Sequence, residues 1–171
     1  MLTPKEFIKL LNVRGYDYDF HEHNALFTVE DSNKLRGEIR GLHSKNLFLK
    51  NKKNKFYLFS CEEFSKINLK TISKSLDLGN ISFARKEHLL ELLGISPGSV
   101  TPFALLNNKD NNIDFYLEDK LYESEYINFH PLTNKATVTI KSGKFIEFMI
   151  ENKKKIHIFS TSSETVVKTY G

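Results

Sequence analysis

The feature that most restricts the fold of this chain is a pair of apolar runs, residues 45–50 and 55–60, separated by a short polar segment. In the first run Leu47 and Leu49 lie two positions apart, which is the period of one face of a β-strand. The intervening Asn51-Lys52-Lys53-Asn54 has the composition of a turn. Two such runs around a polar turn predict a β-hairpin, whose apolar face must be covered by other elements.

The rest of the chain alternates short helices and short strands. Thr3-Pro4-Lys5-Glu6 is a capping box with proline at the first helical position, and Gly15 marks the end of that helix. Further helices are predicted from Thr28 to near Gly37, from Asn68 to Leu76, and at 86–93 and 143–152, and further strands at 16–23, 81–84, 103–106, 112–118, 126–129, 136–140 and 155–159. In the strand at 16–23, Tyr16, Tyr18 and Phe20 form one face, so we expect it to be half-buried.

Consecutive hairpins with irregularly placed helices predict an α+β fold with a mixed, mostly antiparallel sheet flanked by helices. No repeat or linker divides the chain, so we expect a single domain, residues 1–171.

Composition narrows the function classes. The 171 residues are 40% hydrophobic and 27% charged, which is typical of a globular domain. The chain has no run of about 20 apolar residues and no secretory signal, so we expect a cytoplasmic protein without a membrane segment. Its single cysteine excludes an internal disulfide and a thiolate metal cluster. The phosphate-loop, dinucleotide-binding, zincin and serine-hydrolase motifs are also missing, which disfavours those activities.

The charge is unevenly distributed although the net charge is only +4. Residues 40–60 hold six basic side chains and no acidic one, whereas residues 114–125 hold five acidic side chains and one lysine. A surface that contacts phosphate groups has this asymmetry, and so does a solvated lysine-rich hairpin tip.

Three segments carry candidate functional residues. Lys45 lies at the end of an apolar strand face, so its ammonium group either extends to the rim or points into a cleft. The loop Gly94–Pro102 is fixed by prolines and glycines, and such loops either present N–H groups to an oxyanion or simply connect two elements. His130 ends a strand before Pro131, where a structural and a functional role are equally compatible with the sequence.

Two other features are interpreted structurally. His21-Glu22-His23 places two histidines on one strand face, but no third ligand follows at a diagnostic spacing, so an exposed strand is favoured over a metal site. Cys61 follows an apolar strand and has no signature of an activated nucleophile, so we expect a small core residue.

Taken as a set, four segments have a recognisable pattern. They are Leu26-Phe27-Thr28-Val29-Glu30-Asp31, residues 41–50 with Lys45-Asn46-Leu47-Phe48-Leu49, residues 93–103 with Pro97-Gly98-Ser99-Val100-Thr101-Pro102, and Phe129-His130-Pro131-Leu132-Thr133-Asn134. The set resembles the YbaK/ProX-type aminoacyl-tRNA deacylases, relatives of the editing domain inserted in bacterial prolyl-tRNA synthetase. The histidine-proline motif is more similar to the alanyl-tRNA(Pro) branch than to the cysteinyl branch. Ala104, where a glycine is common, and Lys135 depart from the pattern and bear on substrate preference.

The resemblance implies a partly barrel-like sheet and hydrolysis of the ester between a wrong amino acid and tRNA, without a cofactor or a metal. It implies that backbone N–H groups at Gly98 and Ser99 stabilise the oxyanion, that Lys45 holds the terminal phosphate or ribose, and that His130 lines or braces the amino-acid pocket. The substrate-binding residues expected from it are Leu26, Phe27, Thr28, Asn46, Leu47, Val100, Thr101 and Pro102, with Leu26, Phe27 and Leu47 as pocket walls.

The implied partner is the acceptor end of tRNA(Pro), and a need for prolyl-tRNA synthetase stays open, as does the oligomeric state. The basic segments at 50–55 and 153–155 are candidates for contact with the acceptor stem, and each is also compatible with a solvated patch. Two alternatives remain: a deacylase for another small mischarged amino acid such as Cys or Ser, and an inactive tRNA- or synthetase-binding module of the same fold.

Overall fold

The computed structural model describes residues 1–24 and 39–171. In this part of the chain nine strands form one sheet, accompanied by five α-helices. The strands are β1 Asp19–Glu22, β2 Leu42–Asn51, β3 Phe56–Glu62, β4 Ile81–Phe83, β5 Ile113–Glu118, β6 Tyr126–Phe129, β7 Ala136–Lys141, β8 Ile156–Ser160 and β9 Thr165–Tyr170. The helices are α1 Pro4–Val13, α2 Leu69–Ser75, α3 Lys86–His88, which continues as a π-helical turn Leu89–Leu93, α4 Asp119–Glu123 and α5 Ser142–Glu151, with 3₁₀ turns at Pro97–Ser99 and Pro102–Asn107.

The strand order is β1-β7-β6-β2-β3-β5-β8-β9, and β4 lies beside β2. Five neighbouring pairs are antiparallel, and three pairs, β2–β6, β3–β5 and β5–β8, are parallel. The predicted fold class, a mixed and mostly antiparallel sheet flanked by helices, is therefore confirmed. No helix in the described residues is both long and apolar enough to cross a bilayer.

The core lies on both faces of the central strands. On one face, Phe103 packs between Phe7 of α1 and Phe148 of α5, with ring centroids 4.5 and 5.9 Å away. On the other face, Phe59 of β3 stacks on Tyr116 of β5 at 4.6 Å. Since side chains alternate along a strand, β3 and β5 contribute to both clusters and are nearly completely buried.

The longest strand, β2, is paired differently along its two edges. One edge pairs with β3 from Ser44 to Lys50. The other edge pairs with β6 only at Leu42–His43 and with β4 only at Leu49–Asn51. Residues 44–47 therefore lie between two partner strands, where the described pairing of the sheet is interrupted. The segment that begins with Lys45 therefore lies just past the short pairing of β2 with β6.

Most predicted elements are present, including the capping box of α1, the 45–60 hairpin and the helix capped by Asn68. The predicted strand at 103–106 is wrong, because Thr101 caps a buried 3₁₀ helix that begins at Pro102. The buried aromatic face predicted for the strand at 16–23 is wrong at Phe20, which is 43% exposed, and the strand itself is shorter, Asp19–Glu22. The predicted helix from Thr28 lies outside the described residues.

Candidate functional site

The start of β2 is fixed by a chain of buried amides and hydroxyls. Asn128 of β6 donates to the Arg40 and Leu42 carbonyls at 2.9 and 3.2 Å. Ser44 Oγ donates to the Asn128 carbonyl at 2.7 Å, and Asn46 Nδ2 donates to Ser44 Oγ at 3.3 Å. These bonds hold the interrupted edge of β2 against β6. They also fix the side chain of Asn46, one of the predicted substrate-binding residues.

A small polar pocket opens beside this edge. Its volume is about 30 Å³. In the described part of the chain it is lined by His43, Ser44, Glu63, Asn128, Phe129, His130 and Thr137. A space of this size with several polar neighbours is large enough for one ordered water. The structure therefore brings His130 together with His43 and Ser44, the two residues that precede Lys45 on β2.

The hydrogen bonds of His130 define its tautomer. The Ala136 carbonyl accepts from His130 Nδ1 at 2.9 Å, so Nδ1 carries the proton and Nε2 is the nitrogen that can accept. Burial lowers the pKa of His130, and the nearby His23 and His43 lower it further, so the ring stays neutral at neutral pH. His23 lies alongside, with its ring centroid 6.3 Å away. The pocket therefore contains a neutral imidazole.

Lys45 lies on the face of β2 opposite Ser44 and Asn46, and that face also carries His43 of the polar pocket. It is half-buried, it is opposite Cys61 in the β2–β3 register, and its Nζ donates to the Ser65 carbonyl. Cys61 is completely buried, as predicted for a core residue. Burial raises the pKa of its thiol, and the nearby Glu118 carboxylate raises it further, so the thiol stays protonated.

A buried carboxylate supports the position of Lys45. Glu118, at the end of β5, is completely buried, and its Oε1 accepts from Glu62 N at 2.9 Å and from Ser65 Oγ at 2.7 Å. Lys120 Nζ donates to the same Ser65 hydroxyl at 3.3 Å. Glu118 Oε2 is buried without a hydrogen-bond partner among the described residues. Glu118 thus fixes the turn whose carbonyl holds the Lys45 ammonium.

In the predicted oxyanion loop, some N–H groups are already hydrogen-bonded within the loop. The Ser99 N–H donates to the Ser96 carbonyl at 3.0 Å, and the two serine hydroxyls are 3.2 Å apart. Gly98 lies one residue earlier, where a 3₁₀ turn provides no internal acceptor for its N–H. Thr101 is buried, and its Oγ1 accepts from Phe103 N at 3.4 Å as a helix cap. Of the two predicted oxyanion donors, the Ser99 N–H is therefore already used within the turn, and the Gly98 N–H is not.

The structure places the predicted site residues in three groups. Asn46 lies on one face of β2, and Lys45 and Leu47 lie on the other together with His43, whose β6 partner Asn128 lines the His130 pocket. Leu47 packs on the second core cluster. Pro102 is buried, and Val100 packs on the main core. No hydrogen bond within residues 1–24 and 39–171 joins the 98–102 loop to Lys45 or His130. Leu26, Phe27 and Thr28 lie outside the described residues.

Sequence reasoning missed the residues that hold the predicted ones in place, namely Asn128, Ser44, Ser65 and Glu118. Asn128 and Glu118 are apolar-strand positions occupied by polar residues, and a buried polar residue in a strand is the signal that could have identified them. The sequence also offered a metal site at His21-Glu22-His23, which lies at the end of β1. Within the described residues, no three His, Cys, Asp or Glu side chains are grouped so as to hold a metal ion.

Comparison with known proteins defines the class of protein. Residues 23–148 match the model of the aminoacyl-tRNA editing domain. This segment contains Lys45, the 98–102 loop, Glu118 and His130. The match covers more than half of the chain, and the chain therefore belongs to the aminoacyl-tRNA editing domain family.

Particular relatives agree with this membership. The chain is 38% identical over 133 residues to the prolyl-tRNA synthetase associated domain-containing protein 1 of Xenopus laevis, covering 75% of this chain and 79% of that protein. It is 30% identical over 125 residues to the prolyl-tRNA editing protein ProX of Acetoanaerobium sticklandii, covering 72% and 76%. A solved structure named as a candidate trans-editing enzyme for prolyl tRNA synthetase has the same fold, with a TM-score of 0.67, 19% identity and coverage of 91% and 96%.

Proposed function

We propose that this protein hydrolyses mischarged aminoacyl-tRNA in trans, and that its substrate is Ala-tRNA(Pro). The observation that carries the proposal is the editing-domain match over residues 23–148, which includes both the Lys45 strand and the His130 pocket. An aminoacyl ester is already activated toward water. Hydrolysis therefore requires a positioned water and donors for the oxyanion, and needs no covalent nucleophile.

The polar pocket supports a role in placing the water. Its volume of about 30 Å³ suits one water molecule, and the neutral His130 ring offers Nε2 as an acceptor for one of the water's hydrogens. Water held this way keeps an oxygen lone pair directed away from the imidazole. We assign His130 to orienting the attacking water or to bracing the pocket around it.

Lys45 and the 98–102 loop are assigned to the charged parts of the substrate. Lys45 would exchange its bond to the Ser65 carbonyl for one to the terminal phosphate or ribose of the tRNA, as a point charge. The Gly98 N–H would donate to the oxyanion that develops on the ester carbonyl. Asn46 and Leu47, on either side of the β2 edge, would contact the terminal nucleotide and the amino acid.

We choose alanine as the substrate because the proline-binding pocket of a prolyl-tRNA synthetase cannot exclude this smaller amino acid. Each methylene group that a smaller amino acid lacks weakens its binding in a hydrophobic pocket by only about 1–3 kcal/mol, so the synthetase pocket discriminates poorly against it. A second hydrolytic site that admits alanine and excludes proline supplies the missing discrimination. The names of the relatives refer to prolyl-tRNA synthetase and prolyl-tRNA editing, which supports tRNA(Pro) and prolyl-tRNA synthetase as partners. The cytoplasm stays the proposed location.

The test is hydrolysis of Ala-tRNA(Pro), Pro-tRNA(Pro), Cys-tRNA(Pro) and Ser-tRNA(Pro) by the full chain. We expect rapid release of alanine, retention of proline, and loss of activity in Lys45→Ala. Lys9→Ala, an exposed lysine of α1, is the matched control and should keep full activity.

The other outcomes separate the alternatives. Preferential release of cysteine or serine would keep the reaction and correct the substrate. No release of any amino acid, with tRNA still bound, would replace the enzyme by a binding module of the same fold. Full activity in Lys45→Ala would remove Lys45 from the site.

A further inference from the structure

One basic segment of the sequence lines a cleft in the structure, and the other is linked to that cleft by an ion pair. Lys55, at the end of the β2–β3 turn, forms an ion pair with Asp114 at 3.2 Å and contacts the Asn112 carbonyl at 3.5 Å. Asp114 also lines a cleft of about 220 Å³ whose other wall carries Lys153, Lys154 and Lys155. The segments at 50–55 and 153–155 are about one hundred residues apart in sequence, and the fold joins them through the start of β5.

Lys154 is the unusual residue of this cleft. It is only 9% exposed, and its Nζ donates to the Asn108 carbonyl at 2.8 Å and to Asn111 Oδ1 at 2.5 Å. Both acceptors are neutral. None of the ion pairs in the described part of the chain includes Lys154. Burial lowers the pKa of this ammonium group, and the charge of Lys109 lowers it further.

A buried ammonium without a counter-charge is costly unless a ligand supplies one. The acid that lines the cleft, Asp114, is already paired with Lys55. The two flanking lysines, Lys153 and Lys155, are exposed and add positive charge at the rim. Within the described residues the cleft therefore offers the Lys154 ammonium no acidic partner, and its volume of about 220 Å³ is enough for a phosphate group with some of its water.

We propose that this cleft binds a phosphate group of the tRNA backbone a few nucleotides from the acylated end. An ammonium with neutral acceptors, flanked by exposed lysines, suits a phosphodiester, which carries one negative charge and two accepting oxygens. This inference rests on the proposed function, because that function makes tRNA the partner.

The distance along the sheet fits this assignment. Lys45 is opposite Cys61, and the β3–β5 register ends one residue earlier at Ser60 and Leu117, so Cys61 is level with Glu118, four residues along β5 from Asp114. Four residues of a strand span about 13 Å. One strand of a nucleic-acid duplex advances 3.4 Å per nucleotide, so the cleft is roughly four nucleotides from the group that Lys45 would hold.

The first experiment measures binding of uncharged tRNA(Pro) between 50 and 200 mM salt. The variants are Lys153→Ala/Lys155→Ala and the charge-matched control Lys5→Ala/Lys9→Ala, whose two lysines are exposed on α1. We expect the first variant to weaken binding about tenfold and to reduce the slope of log K against log salt by about one at most, since one phosphate contact contributes roughly 0.7–0.9. The control should change neither quantity. Unchanged binding in the first variant, or an equal loss in both, would overturn the proposal.

The second experiment separates tRNA from a small phosphate compound as the ligand. Inorganic phosphate is titrated into the isotope-labelled protein, and the amide signals of residues 153–155 are followed in the wild type and in Lys154→Met. Saturable shifts that are lost in Lys154→Met support the phosphate site. The same shifts with unchanged tRNA binding in Lys153→Ala/Lys155→Ala would reject tRNA as the source of the phosphate.

The two proposals fail in different ways. If the wild type hydrolyses no ester while tRNA binding depends on Lys153 and Lys155, the proposed hydrolase is rejected and the cleft stands. If esters are hydrolysed while tRNA binding does not depend on either lysine, the proposed hydrolase activity is supported and the proposed phosphate site is rejected.

Discussion

Lys45 and Lys154 both direct an ammonium group at a main-chain carbonyl, Ser65 for the first and Asn108 for the second. Their electrostatic surroundings differ. The carbonyl that holds Lys45 belongs to a turn fixed by the buried Glu118 carboxylate. Lys154 has neutral acceptors and a second lysine, Lys109, that lowers its pKa.

This difference separates two kinds of binding residue. A lysine whose carbonyl acceptor sits in a turn fixed by a buried carboxylate is held in one position before a ligand arrives. A buried lysine without an acid is destabilising in the free protein and is relieved when an anion binds. The first arrangement suits a residue that must position a reacting group, and the second suits one that gains affinity for phosphate.

The largest expected effect is on catalysis, from Lys45→Ala. We expect kcat/KM for Ala-tRNA(Pro) to fall by about 100-fold or more, because a preorganised charge near the reacting ester is removed. Single-turnover deacylation measures the effect, with Lys9→Ala as the control. A decrease in kcat/KM of less than tenfold would show that Lys45 contributes little to the reaction. Lys45 and Lys154 would then no longer differ in the proposed way.

Glu118→Ala tests whether the carboxylate supports the Lys45 turn. The variant leaves the Glu62 N–H and the Ser65 hydroxyl without their acceptor, so we expect the free energy of unfolding to fall by about 2–4 kcal/mol. Glu118→Gln keeps an accepting oxygen and should lose less. Urea denaturation measures both variants.

Glu123→Ala, an exposed acid at the end of α4, is the control for Glu118 and should stay within about 0.5 kcal/mol of the wild type. If Glu118→Ala behaves like Glu123→Ala, the buried carboxylate has no structural role. If Glu118→Gln retains stability but loses deacylation, the charge itself acts on Lys45.

How far the sequence predicts this arrangement depends on the range of the interactions involved. The capping box of α1 and the β2–β3 hairpin are local patterns, and both were predicted from spacing alone. The 103–106 segment was not, since a short apolar run is compatible with a buried strand or a buried helix, and tertiary packing decided for a 3₁₀ helix.

The site shows the same limit more sharply. Lys45 and His130 were identified from motifs, whereas Glu118 was counted only as one acid of an acidic segment. Its role depends on Ser65, 53 residues away, and no local pattern reports such a contact. The link between the two basic segments through Lys55 and Asp114 likewise requires the parallel β3–β5 pairing, which connects distant parts of the chain.

A smaller effect is expected for stability in Lys154→Met. Methionine retains the length of the side chain and removes the buried charge, while the Asn108 carbonyl and the Asn111 amide oxygen lose a donor. These contributions oppose each other, so the unfolding free energy should change by less than about 1 kcal/mol. Thermal unfolding in phosphate-free buffer measures this. A loss as large as that of Glu118→Ala would mean that Lys154 serves the fold and is not an uncompensated charge.

The smallest effect is the pH dependence of the difference in unfolding free energy between the wild type and Lys154→Met. The direction of the Lys154 pKa shift fixes its sign. The Lys154 pKa is lowered in the folded protein from its ordinary value of 10.5, so between the two values the unfolded chain binds more protons than the native one. Wild-type stability relative to Lys154→Met should therefore rise as the pH increases toward 10.5, while below the folded pKa the penalty of the buried charge is fully present. The groups common to both proteins cancel in this difference. A difference that is flat or falls with pH would show that the Lys154 ammonium is compensated within the protein, which would remove the need for an anion and with it the contrast with Lys45.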